Sequence, residues 1–92
     1  MEIIQENNDR KGVFYAKEND KEMGEMTYVW AGNKIIIDHT EVNPIYKGKG
    51  IGYALVEKAV EFDWEKGIKI MPLCPFAKAT FDKKPEYADV LF

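Results

Sequence analysis

The chain has 92 residues, 46% hydrophobic and 32% charged, with a formal net charge of −3 and a pI near 5.1, the balance of a single soluble domain spanning 1–92. That acidity argues against general binding to nucleic acid or anionic membranes, which needs a broad basic face. One cysteine, Cys74, and one histidine, His39, exclude a disulfide framework and leave no ligand set for a zinc or haem site, so no metal is expected.

Residues 2–6 carry an isoleucine pair and read as a short edge strand. Asn7 to Gly12 is turn chemistry, and Val13-Phe14-Tyr15-Ala16-Lys17 has the β-branched and aromatic content of a strand. After a polar reversal at 18–22, Met26, Tyr28 and Trp30 alternate with Thr27 and Val29. Ala31-Gly32-Asn33 then turns the chain into Lys34–Val42, so the first half reads as an antiparallel meander. Asn43-Pro44 ends it, because proline cannot donate to a ladder. Beyond a glycine loop, Ile51, Leu55, Ala59 and Phe62 recur at helical spacing, with Ala54 and Val56 widening the stripe and Gly67 as the stop. Ile68 to Met71 reads as a further strand, parallel to 34–42 because a helix separates the two. Ala77–Lys84 has helical character. The fold class is α+β: a mixed sheet in the order β-β-β-β-α-β-α. Trp30, Trp64, Tyr28 and Phe62 are expected in the core.

The segment Lys47-Gly48-Lys49-Gly50-Ile51-Gly52 stands just before the long helix. Glycine permits positive φ, and a helix N-terminus offers N–H groups and the positive end of a dipole, which suits a phosphate. A nucleotide-triphosphate loop would need Ser or Thr after Gly-Lys, and Gly50 stands there. A dinucleotide fingerprint would need a later third glycine and a larger sheet.

The loop resembles the Gln/Arg-x-x-Gly-x-Gly/Ala loop of the GNAT-type N-acetyltransferases. Val42-Asn43-Pro44, the helix that follows, the meander, and the tail Met71-Pro72-Leu73-Cys74-Pro75-Phe76-Ala77 with Lys84-Pro85-Glu86-Tyr87 extend the resemblance to the small single-domain, Yjdj-type branch. The resemblance covers roughly residues 10–92. It implies a GNAT-like mixed sheet with the glycine-rich loop at the N-terminus of the central helix, and acetyl-CoA (coenzyme A) as co-substrate. It also implies that Val42, Lys47, Gly48, Lys49, Gly50, Ile51 and Gly52 hold the coenzyme, with Cys74 and Phe76 along its pantetheine arm. Lys47 departs from the usual Gln or Arg. The helical pair that the larger superfamily inserts between its first two strands is replaced by the turn at 7–12, which leaves the acceptor side open.

Acetyl transfer to an amine needs a neutral amine, oxyanion stabilisation and a proton for the leaving thiolate. Backbone N–H groups at the end of the 34–42 strand can supply the second. His39 is a candidate base, its alternative being a residue hydrogen-bonded on the sheet. Simple alternation places it with Ile37 and Glu41, whereas a bulge, common in the superfamily at this strand, would break that parity. Glu41 is a second candidate base, or a solvated strand-end carboxylate. Cys74, between Pro72 and Pro75, is a candidate acyl carrier or proton donor, or a small buried hydrophobe. The reading is an acetyl-CoA-dependent N-acetyltransferase acting on an amine of a protein, polyamine or small metabolite. The alternative is a non-catalytic CoA-binding sensor or interaction module. The N-terminus is acidic without an apolar signal core, and no run approaches the ~20 apolar residues of a membrane span, so the expected location is the cytoplasm.

Overall fold

The computed structural model describes residues 1–92. Its elements are β1 (Glu2–Asn7), β2 (Lys11–Glu18), β3 (Lys21–Ala31), β4 (Lys34–Val42), α1 (Ile51–Lys66), β5 (Lys69–Pro72) and α2 (Pro75–Lys83), with short 3-10 turns at Pro44–Tyr46 and Pro85–Val90. The strands form one sheet in the order β1-β2-β3-β4-β5, antiparallel through β4, with β5 parallel to β4. The order β-β-β-β-α-β-α expected from periodicity is the one observed.

Local chemistry accounts for the turns. Asn19 and Asp20 both take positive φ, as a tight two-residue hairpin between right-twisted strands requires. The polar run at 7–12 closes through Asn8, whose side chain accepts from the N–H groups of Arg10 and Lys11.

One face of the sheet carries the core. Phe14, Ala16, Met26, Tyr28, Ile35, Ile37 and Ile70 point to it, and α1 lays Ile51, Leu55, Val56, Ala59 and Val60 against them. The buried stripe of α1 includes Val60 and Asp63 as well as the positions expected from spacing, while Phe62 is half-buried at its edge. Tyr28, fully buried, ties β1 to β3: its hydroxyl accepts from Gln5 Nε2 at 2.7 Å and donates to Asn7 Oδ1 at 2.8 Å. Trp30 and Phe62 pack around it as expected. Trp64 does not: it is 53% exposed and donates through Nε1 to Asp89. A helix turn of one residue past Asp63 carries it onto the rim, which periodicity over neighbouring aromatics did not resolve.

Candidate active site

The strand β4 pairs with β5 only from Lys34 to Ile37. At that point the Ile37 carbonyl accepts from two N–H groups, those of Leu73 and Cys74, each at 3.0 Å. The chain then enters α2, and β4 runs on from Asp38 to Val42 paired with β3 alone. Its other edge is open.

A bulge coincides with this divergence. Tyr28 pairs with Ile37 and Thr27 with His39, which leaves Asp38 as the extra residue. Asp38 is exposed and accepts from the Thr27 hydroxyl at 2.6 Å. The extra residue inverts parity beyond it: Thr40, opposite the buried Met26, faces the helices, whereas His39 and Glu41, opposite Thr27 and Glu25, face the outer side. His39 is therefore not on the face of Ile37, where unbroken alternation places it. His39 Nε2 and Glu41 Oε2 lie 3.4 Å apart, with both side chains mostly exposed.

At the far end of β4 the Asn43 side chain caps the turn at 44–46 by accepting from Ile45 N–H. Lys47 and Lys49 donate backbone bonds back into that turn, and Gly48 and Gly50 take φ of 85° and 72°. Nothing in the protein crowds either glycine, so their reason is conformation, not space. Gly50 is the N-cap of α1, whose first turn holds no acidic residue and no capping side chain. The N–H groups of Gly48, Gly50, Ile51, Gly52 and Tyr53 have no acceptor within the protein. Lys47 and Lys49 are exposed and take part in no ion pair. The Ile51 side chain is core, so only its N–H serves the loop. Val42 is half-buried at the strand end. Free donors, helix dipole and exposed lysines thus stand together at the start of α1, a combination that favours negative charge.

Gly52 meets a second constraint. A Cβ there would collide with the ring of Phe76, which also packs on Tyr53 with centroids 5.7 Å apart. Phe76 is the second residue of α2, so the N-termini of α1 and α2 come together beside the open edge of β4.

Cys74 is the N-cap of α2 and is 5% exposed. Burial pushes its thiol up, but the Thr40 hydroxyl and the backbone at Ala77, Phe76 and Thr40 outweigh burial and hold it below the ordinary thiol value. Thr40 carried no sequence signal as a candidate: only the bulge aims it inward.

A family model described as a GCN5-related N-acetyl-transferase matches residues 13–90. The chain belongs to the GCN5-related N-acetyltransferase family. Among solved structures it is 34% identical to a GCN5-like candidate N-acetyltransferase from Staphylococcus aureus, with a TM-score of 0.73 over 99% of this chain and 87% of that one. A ribosomal-protein-alanine N-acetyltransferase from Brucella melitensis shares the fold at 17% identity and a TM-score of 0.69, with 92% of this chain and 64% of that one covered. A candidate streptothricin acetyltransferase from Bacillus anthracis, solved with acetyl coenzyme A, shares it at 20% identity and a TM-score of 0.65, covering 85% of this chain and 47% of that one. This chain therefore spans about half to two thirds of the length of those two larger relatives. No curated protein matches it. No helix is long and apolar enough to cross a membrane.

Proposed function

We propose that the protein, as a single domain over residues 1–92, transfers the acetyl group of acetyl-CoA to a primary amine. The observation that carries this is the set of free N–H groups at Gly48, Gly50, Ile51, Gly52 and Tyr53, beside the edge of β4 left open after Ile37. Lys47 and Lys49 with those N–H groups would hold the diphosphate. The coenzyme's thioester arm would run along the open edge, past Phe76, to the N-terminus of α2. The relative from Bacillus anthracis, solved with acetyl coenzyme A, supports this use of the fold.

The acceptor approaches from the outer face. There a hollow of about 600 Å³ is floored by Val13, Tyr15 and Thr27 and edged by Glu6, Glu25 and Asp38. It lies away from the glycine loop, on the sheet face that the helices leave bare. A lysine-like amine has a pKa near 10.4, so its neutral form costs about 4–5 kcal/mol at pH 7. His39, with Glu41 beside it, is the base on that face. The amine nitrogen forms its bond to the carbonyl carbon, the carbon–sulfur bond breaks, and the electron pair leaves on sulfur. His39 accepts the proton that the nitrogen loses. Cys74 enters this chemistry either as proton donor to the departing thiolate or as a carrier that takes the acetyl group first. The chemistry and the single free thiol both suit the cytoplasm.

Calorimetry with acetyl-CoA tests the cradle: wild-type protein binds and Gly50→Glu does not. Equal affinity in both proteins would overturn the assignment of the loop. Release of free coenzyme thiol with protein, polyamine and small-molecule amines tests transfer. The bare acceptor face, with His39 and Glu41 side chains 57% and 71% exposed, favours one other reading, a CoA-binding sensor without turnover. Binding without thiol release across all three amine classes would establish that reading instead.

A further inference from the structure

The outer face of the sheet carries no helix, and its side chains stand in rows across the strands. Tyr15, Glu25 and Glu41 pair in turn from β2 to β4, and Glu6, Val13, Thr27 and His39 make the next row, from β1 to β4. The hollow of the outer face lies over the middle of both rows. Carboxylates of Glu6, Glu25 and Asp38 edge it, and none of the three is in an ion pair. Lys11 is the one cation on its lining.

Several features of this face call for positive charge. Glu25 stands directly opposite Glu41 on adjacent strands, where like charges destabilise a sheet. Asp38 is held in one orientation by the Thr27 hydroxyl, which donates to its Oδ1 at 2.6 Å. The Tyr15 ring already takes an ammonium over its face, that of Lys17, with Nζ 5.7 Å from the centroid. Burial and the carboxylates of Glu6, Glu25 and Glu22 push the Tyr15 phenol up, as a negative field over the floor requires.

The face also selects the form of the cation. It offers acceptors and few donors, because β2 and β3 are laddered on both edges and the Thr27 hydroxyl is engaged by Asp38. A peptide laid here would find no partners for its own carbonyls. A linear polyamine has only donors, with alkyl chain between them, and Val13 and Tyr15 supply an apolar floor for that chain. Length agrees. From His39 to Glu6 is three strand spacings, roughly 14 Å. A triamine with about nine bonds between its end nitrogens is as long as three extended residues, ~10–11 Å, and the Glu6 side chain spans the remainder.

We propose that the acceptor is a linear polyamine lying across this face, its end nitrogen at His39, an inner ammonium between Asp38 and Glu25, and its far ammonium at Glu6. The assignment rests on the acetyl transfer proposed for this protein and names its substrate class. The end nitrogen, as the neutral amine, bonds to the acetyl carbon, and the carbon–sulfur bond breaks with its electron pair on sulfur. The proton that the nitrogen loses passes to His39. Acetylation removes one positive charge, so the product is held less tightly than the substrate and leaves.

The test uses spermidine as the probe, without acetyl-CoA, with binding read from the backbone amide shifts of isotope-labelled protein. The amides of Val13, Tyr15, Glu25 and Thr27 are expected to move and saturate, and butylamine, with one charge, to bind about tenfold more weakly. Glu6→Gln and Glu25→Gln should each weaken spermidine about three- to fivefold, the worth of one exposed charge pair, while Glu65→Gln on α1 changes nothing. Equal affinity for butylamine, shifts centred elsewhere, tighter binding of a lysine-rich peptide at the same amides, or an equal loss in Glu65→Gln would overturn the proposal. Release of coenzyme thiol is read separately. Spermidine bound at the hollow without thiol release would end the transfer reading and leave the polyamine site standing. Butylamine turned over as well as spermidine would leave the transfer reading standing and end the polyamine assignment.

Discussion

The N–H of Cys74 donates to the carbonyl of Ile37 at 3.0 Å, beside that of Leu73. This doubled acceptor is the last link between β4 and the chain that follows β5. Past it, one strand continues, the other becomes α2, and the opening between them receives the N-termini of both helices. A sheet that paired further would have no such opening. Backbone donors of the adjoining glycine loop likewise lack partners inside the protein.

Gly50→Ala should fold and lose affinity for acetyl-CoA. The residue sits at φ 72° with open space around it, so an alanine meets no clash and bears only the left-handed backbone cost of about 1–2 kcal/mol. That cost appears as a small drop in thermal stability, while calorimetry reports weaker binding as the N-cap relaxes. Unchanged affinity would mean that the geometry of this N-cap does not matter to the ligand.

Gly52→Ala acts differently. Its Cβ meets the far edge of the Phe76 ring, so the ring must move aside from its packing on Tyr53, with a loss of about 1 kcal/mol in chemical denaturation. Adding Phe76→Leu removes the obstruction and should recover most of that stability. If the double variant is as unstable as the single, the two residues are not coupled as the packing indicates.

Tyr28→Phe removes the hydroxyl shared by Gln5 and Asn7. Gln5 can turn to solvent and Asn7 keeps its bond from Trp30 Nε1 at 2.8 Å, so the loss should be about 1 kcal/mol. Hydrogen exchange locates it: the amides of β1 should lose protection more than those of β4. Uniform loss across the sheet would contradict a local role.

Asp63 on α1 is 4% exposed, and its Oδ1 has no partner. Burial raises its pKa, Lys69 opposes this, and Asp89 adds to it. A raised folded-state value means that the native chain holds the proton longer than the unfolded chain. Below the unfolded value, near 3.9, both are protonated and no penalty exists; as pH climbs past it, the unfolded chain ionises first and stability falls. Asp63→Asn should therefore stabilise at pH 7 by about 1 kcal/mol, or roughly 4–8 °C in Tm, with the gain vanishing as pH drops below about 4. A less stable asparagine protein at pH 7 would show that Lys69 repays the burial of the charge.

Element order, turn positions and the positive φ of Gly48 and Gly50 could all be read from the sequence, because each is a local property. Asn19-Asp20 and Gly67 adopt the conformations their types favour, and the Ile51-Leu55-Ala59 spacing forms one buried face whatever surrounds it. The same holds for Gly50, a residue at ease with the positive φ that it takes at the start of α1.

What only the tertiary structure decided is which side chains meet. His39, Thr40 and Glu41 are consecutive on one strand, and their faces depend on a single extra residue, Asp38, whose place is set by pairing with β3 eleven residues away. A bulge has no period, so alternation counted along the chain cannot register it. Cys74 likewise acquires its surroundings from Ile37 and Thr40, more than thirty residues earlier. The sequence by itself determined the elements and the turns between them, through local backbone conformation. The sheet register, a long-range property, decided which side chains of β4 face the helices and which face outward.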